Sequence, residues 1–268
     1  EIYQCDWSSD VCSSDLVQPC SLATPVTVPS VPELEIERAD GVVTLTLNRP
    51  ERKNAVTPQM WIDLAALFTE ITDRREDRVL VVTGAGDAFC SGADLGAATE
   101  GGGPLGAGSG VAAMRLVGRA ALRLHELPIP VIAAVNGVAA GAGCNLALGC
   151  DLIVASDRAR FSEIFARRGL AIDFGGSWLL PRLIGLHRAK ELAFLAEVID
   201  AAEAERIGLV NRVVPHEALL DETYALAARL AGMPPLQLAV IKRQLDDGCN
   251  RTMAEAIEGE GLAQALMF

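Results

Sequence analysis

The chain has 268 residues, half of them hydrophobic, and is therefore long enough to bury one sizeable core. Its 35 acidic and 23 basic residues give a formal charge of −12, which argues against a nucleic-acid-binding surface because such a surface needs a basic patch. No run of 18 apolar residues occurs, so we expect no membrane-spanning segment. The composition predicts a globular, cytoplasmic protein with no nucleic-acid or membrane partner.

The first 32 residues differ from the rest of the chain. They contain six serines and four acids but no Lys or Arg, and they show neither helical nor strand periodicity. They also lack the features of a secretory signal or a transit peptide. We interpret segment 1–32 as disordered, with the further hypothesis that it is foreign to the gene. Detection of this peptide in the native protein would contradict that hypothesis.

From residue 33 onward, strand and helix patterns alternate and then give way to helices alone. Strands are predicted over 41–50, 78–86, 130–137, 151–156 and 159–164, with 211–214 extended. Helices are predicted over 57–71, 111–127, 140–149, 174–184, 187–197, 201–207, 216–231, 234–246 and 252–266. Thr57 is suited to cap the first helix and Pro58 to its first turn, whereas 100–110 has the composition of a flexible loop. This order predicts an α/β fold with a helical C-terminal region.

Several common sites are not supported by the sequence. The glycines of TGAGDAFC (83–90) and NGVAAGAG (136–143) do not have dinucleotide-binding spacing, and no GxxxxGK[ST] or GxSxG motif occurs. Seven cysteines and three histidines show no zinc-ligand spacing. We therefore predict no metal site, no disulfide framework, and reduced, buried cysteines.

Two strand–turn–helix junctions remain as candidates for chemistry. FCSGADL (89–95) and NGVAAGAGCNLAL (136–148) each place small residues at a turn after a buried strand. Such turns allow a ligand to approach the backbone, and two N–H groups aimed at one point make an oxyanion hole. Taken singly, either turn is better explained by close packing of small residues.

Taken together and in order, these segments resemble the crotonase superfamily of enoyl-CoA hydratases and isomerases. The resemblance rests on LNRPERKNAV (47–56), GAGDAFCSGADL (84–95), AAVNGVAAGAGCNLALGCDLIVAS (133–156), LIGLHRAKEL (183–192) and AEAERIGLVNRVVP (202–215). It implies a crotonase-like spiral of repeated ββα units over 33–200 and a helical region over 201–268 used in trimerisation. It also implies an acyl-CoA thioester substrate, no permanently bound cofactor, and a homotrimer or dimer of trimers.

The resemblance also assigns residues to the site. The oxyanion hole falls on the backbone N–H groups of Ala93 and Ala142, although the family usually has Gly at the second place. The segments that the family uses to hold CoA correspond here to Arg52, Lys53, Ala55, Ser91, Gly92, Ala93, Asp94 and Leu95. For Asp94, a capping role is at least as well supported as contact with the ligand.

The two catalytic glutamates of the family's hydratases are missing. Their places hold Asn145, which could hydrogen-bond a substrate or local backbone groups, and Phe165. Glu163 lies two residues before the second place, and on a strand it would share the face of Phe165, though a structural or rim role is favoured. Asp173 coincides with the acid of GL-x-x-D-x-G, which dienoyl-CoA isomerases and isomerases of ring-epoxidised phenylacetyl-CoA carry.

Asp173 has two roles that its spacing fits equally, a helix N-cap and a general base. The resemblance favours the base, and its apolar neighbours should make the carboxylate more basic than a free Asp. An enoyl-CoA isomerase is therefore expected. A hydratase or hydrolase of the same superfamily and a non-catalytic CoA-binding relative remain alternatives. Trp178 is expected in the core or lining the acyl pocket, with the core favoured. The family usually continues past QALMF-like residues, so truncation at Phe268 is also expected.

Overall fold

The computed structural model describes residues 33–96 and 110–267. The strands are β1 (Leu34–Ala39), β2 (Val42–Leu47), β3 (Val79–Gly84), β4 (Ala88–Cys90), β5 (Val131–Val135), β6 (Val138–Ala140), β7 (Leu152–Ser156), β8 (Arg160–Ser162), β9 (Ile199–Asp200) and β10 (Arg212–Val214). The α-helices are α1 (Pro58–Asp73), α2 (Gly110–His125), α3 (Ala142–Leu148), α4 (Gly176–Ile184), α5 (Leu186–Leu195), α6 (Ala201–Arg206), α7 (Leu219–Ala231), α8 (Pro235–Gly248) and α9 (Met253–Ala265). The predicted segment 1–32 and the loop residues 100–109 lie outside this description.

The strands form two sheets that the chain visits alternately. The larger sheet has the order β1-β2-β3-β5-β7-β10 and the smaller one β4-β6-β8-β9. A longer strand of the first sheet is followed by a three-residue strand of the second in β3–β4, β5–β6 and β7–β8. Parallel pairing stacks each pair on the one before, for example Val82 with Ala133 and Ala133 with Ile153. The result is the spiral of ββα turns that the resemblance to the crotonase superfamily implied.

Burial on both faces explains the sequences of the central strands. All residues of β3 and β5 are buried, and neither strand shows the polar alternation of a half-exposed sheet. On one face α1 packs with Leu64, Leu67 and Phe68. On the other face α7 covers residues of β3, β5 and β7.

The long elements agree with the sequence predictions, and the differences have local causes. As predicted, the Thr57 hydroxyl caps α1 by accepting from the Met60 N–H at 3.2 Å, with Pro58 first in the helix. The prediction missed β1, β4, β6 and β9. The last three have only two or three residues and are paired with strands distant in sequence. The helix predicted from 174 begins at 176, because Phe174 (φ 48°) and Gly175 (φ 81°) are left-handed.

The C-terminal helices α8 and α9 extend from this body and contain no buried residue. Lys242 tethers α8 to the core by donating to the carbonyl O of Ile129 at 3.2 Å and to the Asp151 carboxylate at 2.8 Å. Across the described residues no single helix is long and apolar enough to cross a membrane. One pair, His216–Ala231 with Pro235–Gly248, meets the length and composition test only when joined across a 105° bend.

Candidate active site

The two glycine-rich turns lie side by side because the strands before them, β4 and β6, are parallel neighbours. A Cβ added at Gly92 (φ 101°) would lie 2.9 Å from the carbonyl O of Ala140 and 3.5 Å from the N of Ala142. A Cβ added at Gly143 would lie 2.2 Å from the carbonyl O of Cys90. Close packing, the alternative explanation for these small residues, therefore applies to Gly92 and Gly143. The same packing brings Ala142 next to the first turn.

The backbone N–H groups of Ala93 and Ala142 are two donors at these turns that have no acceptor among the described residues. Ala93 forms a parallel bridge with Val56, in which the Val56 N–H donates to Gly92 and the Asp94 N–H donates to Val56. This pattern leaves the Ala93 N–H on the opposite side of the segment. Ala142 is the first residue of α3, where an N–H has no acceptor within the helix. No hydrogen bond among the described residues uses either group as donor, so both are available to a ligand oxygen.

The two segments predicted to hold CoA lie against each other. The Ser91 N–H donates to the carbonyl O of Lys53 at 2.9 Å, and the Ser91 hydroxyl donates to that of Arg52 at 3.2 Å. Lys53 is exposed and pairs with Asp87, whose pKa it lowers by hydrogen bond and charge. Ala55 is half-buried, and Leu95 is exposed. The segments 52–55 and 91–95 thus lie side by side, with Ala93 in the second of them.

Asp94 is held by Arg49, a residue that the sequence analysis did not single out. The Arg49 guanidinium lies 3.0 Å from the Asp94 carboxylate and also donates to the carbonyl O of Ala55 at 2.5 Å. Both charged side chains are mostly buried. Arg49 therefore joins the two segments that were predicted to hold CoA. The two roles considered for Asp94, helix capping and ligand contact, did not include this ion pair. The only sequence signal was its place in LNRP.

Asp173 lies in the loop before α4, and its side chain does not cap that helix. The N-cap position is Gly175, no side chain accepts a capping hydrogen bond, and the Gly176 N–H donates instead to the backbone carbonyl of Asp173 at 3.0 Å. The capping alternative is therefore wrong. Within the described residues, the buried Oδ1 of Asp173 has no hydrogen-bond partner. Burial raises the pKa of this carboxyl to about 6, which is the basicity that its apolar setting predicted.

The residue after Asp173 has a strained backbone. Phe174 is left-handed at φ 48°, a conformation that is costly for a large side chain. Its ring is buried, with its centroid 5.3 Å from that of Trp61 on α1. Packing of this ring holds the turn and therefore fixes the direction of the neighbouring carboxylate.

Asn145 connects Asp173 to Glu163. Its fully buried amide donates to the backbone carbonyl of Asp173 at 3.0 Å and to the Glu163 carboxyl at 3.4 Å. A Cβ added at Gly176 would lie 2.3 Å from this amide nitrogen, so only Gly fits there. The Asn145 N–H groups therefore serve local groups, which was the second of the roles considered for Asn145.

Glu163 and Phe165 do not share a face as strand alternation predicted, because β8 ends at Ser162. Glu163 is 1% exposed, and a position on the rim of the site is excluded. Burial raises its pKa to about 7, with a further contribution from the charge of Asp173. The Phe165 ring, also buried, faces the other turn, where a Cβ added at Gly141 would lie 3.6 Å from its Cζ.

Trp178 is half-buried and lies outside the core in which the sequence favoured placing it. Its ring centroid is 5.2 Å from that of His125, and the Arg182 guanidinium carbon lies 3.9 Å above it. The cysteine prediction is right for Cys90, Cys144 and Cys150, which are buried free thiols, and wrong for Cys249, which is exposed. Residues 33–96 and 110–267 contain no group of three potential metal ligands among His, Cys, Asp and Glu.

Comparison with known proteins matches residues 37–266 to the enoyl-CoA hydratase/isomerase family model. The chain is 40% identical over 222 residues to the 1,2-epoxyphenylacetyl-CoA isomerase of Escherichia coli K12, covering 82% of this chain and 84% of the relative. It is 35% identical over 240 residues to the crotonyl-CoA hydratase of Syntrophomonas wolfei, covering 87% and 88%. The solved enoyl-CoA hydratase of Mycobacterium smegmatis superposes with a TM-score of 0.81 at 33% identity, covering 88% of this chain and 91% of that one.

The matches span most of this chain and most of each relative, and the names of the relatives include both an isomerase and a hydratase. The fold, the paired turns and the family match therefore agree on an acyl-CoA enzyme. The chain belongs to the enoyl-CoA hydratase/isomerase family of the crotonase superfamily.

Proposed function

We propose that this protein is an enoyl-CoA isomerase in which Asp173 carries the proton. The observation that carries this proposal is the state of the Asp173 carboxyl, which caps no helix and has a pKa raised to about 6, and whose Oδ1 has no hydrogen-bond partner within residues 33–96 and 110–267. A carboxylate with this basicity is suited to general-base work near neutral pH. The 40% identity to the 1,2-epoxyphenylacetyl-CoA isomerase of Escherichia coli also supports the proposal, because that relative is named as an isomerase.

The reaction needs one base and one anion site. The Asp173 carboxylate removes a proton from C2 of a 3-enoyl-CoA, and the electron pair of that C–H bond moves to the thioester oxygen to give a dienolate. The N–H groups of Ala93 and Ala142 donate to this oxygen, where such donors typically contribute about 10²–10³-fold each. The proton on Asp173 then passes to C4, so the double bond moves from position 3,4 to 2,3 and the carboxylate is regenerated.

Hydration is the less favoured reaction at this site. It requires a group that activates water, and the two places where the family's hydratases have glutamates hold Asn145 and the buried ring of Phe165. Glu163, the remaining carboxyl, is 1% exposed and is surrounded by protein. Asp173 is the more accessible of the two carboxyls. Isomerisation requires a single carboxylate as base, and Asp173 can supply it.

We further propose that residues 52–55 and 91–95 hold the CoA part of the substrate, and that the protein is a homotrimer or a dimer of trimers. Support for assembly comes from α8 and α9, which bury no residue within the chain and expose Leu236, Leu245 and Leu262. Light scattering coupled to size exclusion measures the mass directly. A monomer at micromolar concentration would contradict this part.

A direct test incubates the protein with 3-enoyl-CoA and, separately, with 2-enoyl-CoA, and follows double-bond migration, hydration and deuterium exchange at C2 by NMR and mass spectrometry. In D₂O buffer we expect double-bond migration and deuterium exchange at C2, with no product in which water has added across the double bond. Asp173→Asn should reduce both by about 10²–10⁴-fold, whereas Asp73→Asn, at an exposed position at the end of α1, should leave them unchanged. Exchange that survives Asp173→Asn, or hydrated product without migration, would overturn the proposal.

A further inference from the structure

Glu163 is a carboxyl buried without a cation. Its side chain meets the Cys144 thiol, the Asn145 amide and the charge of Asp173, and these include every titratable group that acts on it. The elements α4, α5 and β9 present Leu180, Leu192 and Ile199 to the same space. No Lys or Arg of the described residues pairs with it, and its Oε1 has no hydrogen-bond partner among them.

An ionised carboxylate in this setting would be unfavourable. An unpaired buried charge costs several kcal/mol, and the usual outcome is that the group stays neutral. The nearby Asp173 carboxylate adds repulsion in the same direction. Where two carboxyls share a site, the more deeply buried one keeps its proton and the other carries the charge. Here Glu163 is the more deeply buried of the two.

The neutral carboxyl still has an oxygen that accepts a hydrogen bond from the Asn145 amide. The Glu163 Oε2 accepts one Asn145 N–H at 3.4 Å, and the backbone carbonyl of Asp173 accepts at 3.0 Å from the same nitrogen. The amide has no room to swing toward α4, because the backbone of Gly176 lies against it. Together with the Asp173 carbonyl, the Glu163 oxygen therefore favours the orientation in which the N–H groups, rather than the amide oxygen, face the Asp173 loop.

We propose that Glu163 is a positioning residue, and that the oxygen of its uncharged carboxyl orients the Asn145 amide, which in turn holds the Asp173 loop. The inference rests on the proposed role of Asp173 as the base and adds a residue that acts through Asn145 without touching the substrate. It requires the acceptor oxygen of Glu163 and does not require a negative charge.

Two substitutions separate the oxygen from the charge. Glu163→Gln keeps an acceptor oxygen in a neutral side chain, whereas Glu163→Met keeps the length and removes the acceptor. We expect Glu163→Gln to retain kcat within about threefold at pH 7, since one neutral acceptor replaces another. Glu163→Met should lower kcat by about 10–100-fold with little change in KM, because misplacing a base affects the transition state more than binding. Circular dichroism and CoA affinity check that both variants fold.

Two patterns of kcat in the Glu163 variants would contradict the proposal. Equal loss of kcat in Glu163→Gln and Glu163→Met would mean that the charge is required, and unchanged kcat in Glu163→Met would mean that the acceptor is not. If C2 exchange survives Asp173→Asn while the Glu163 pair behaves as expected, the role of Asp173 is wrong and the Glu163–Asn145 arrangement stands. If Asp173→Asn is inactive and Glu163→Met is not, only the present inference fails.

A measurement that leaves Glu163 in place keeps the test open even if Glu163→Met does not fold. Infrared difference spectra of Asp173→Asn against pH should retain the C=O stretch of a protonated carboxyl at pH 6 and lose it at pH 8 to 9. The same band should be missing in the Asp173→Asn, Glu163→Gln double variant. A Glu163 that is already ionised at pH 6 would overturn the proposal.

Discussion

The amide nitrogen of Asn145 lies 3.0 Å from the backbone carbonyl oxygen of Asp173, which is 28 positions later in the chain. This contact joins α3, whose first N–H is a candidate oxyanion donor, to the loop that carries the candidate base. One buried side chain therefore links the helix of the candidate anion site to the loop of the candidate base.

The pH dependence of isomerisation should reflect the raised pKa of Asp173. The base must be ionised, so kcat/KM should fall as the pH drops through about 6 and stay low below it. An ordinary aspartate would keep activity to about pH 4. The measurement is the pH profile of kcat/KM with 3-enoyl-CoA. An acid limb near 4 would contradict the desolvated state of this carboxyl.

Gly176→Ala should impair both stability and turnover. The new Cβ would lie 2.3 Å from the Asn145 amide nitrogen, so the amide or the Asp173 loop must move. We expect a loss of about 1–3 kcal/mol in the free energy of unfolding, together with a lower kcat.

The matched control for that variant is Gly118→Ala within α2, where no atom of the described part of the chain lies within 4 Å of the added Cβ. Removing a helical glycine there should stabilise by about 0.5–1 kcal/mol. Urea unfolding and steady-state kinetics measure both effects. Equal behaviour of the two variants would show that Asn145 does not restrict position 176.

Stability should decline with rising pH because of Glu163. Its pKa is raised from 4.5 to about 7 on folding, so between these values the native state binds the proton and the unfolded state does not. The contribution of this proton to the free energy of unfolding is at its full value below pH 4.5 and is lost as the pH rises through 7. At about 1.4 kcal/mol per pH unit, the loss is on the order of 3 kcal/mol.

Glu163→Gln removes this titration because its side chain stays neutral. The variant should therefore be more stable than the parent at pH 8 and similar to it at pH 4.5. Urea unfolding at the two pH values measures the difference. The Asp173 carboxyl, with its pKa raised from 3.8 to about 6, contributes with the same sign and remains in both proteins. A difference that is constant across pH would contradict the raised pKa of Glu163.

Arg49→Gln should weaken substrate binding more than turnover. The guanidinium holds Asp94 at 3.0 Å and Ala55 at 2.5 Å, and these belong to the two segments proposed to bind CoA. Loss of a partly buried charged hydrogen bond should raise KM by roughly 10-fold, equivalent to about 1.4 kcal/mol, with kcat little changed. Arg158→Gln, which removes an exposed ion pair with Glu217, is the control. A rise in KM no larger than that of the control would contradict a role for Arg49.

Local sequence determined the elements that carry a strong periodic signal. The β-branched run of β3, the Thr57–Pro58 start of α1 and the apolar faces of the later helices depend on neighbours within one element, and they lie where the sequence predicted. The resemblance in ordered motifs gave the spiral fold and the family, and both are confirmed. The site assignments to Ala93, Ala142 and Asp173 came from the same motifs and stay predictions.

Only the tertiary structure decided what surrounds these residues. Sequence spacing left Asp173 equally suited to be a helix cap or a general base. Phe174 and Gly175 are left-handed and move the start of the helix away from Asp173. The Phe174 ring packs against Trp61, which is distant in the chain, so the sequence alone could not reveal this turn. Glu163 was expected to be a structural or rim residue, and only the structure shows that β8 ends at Ser162 and that Glu163 is buried beside Asn145. Arg49 meets Asp94 45 positions away. Burial, desolvation and long-range ion pairs depend on residues distant in the chain, and for that reason the sequence alone could not specify them.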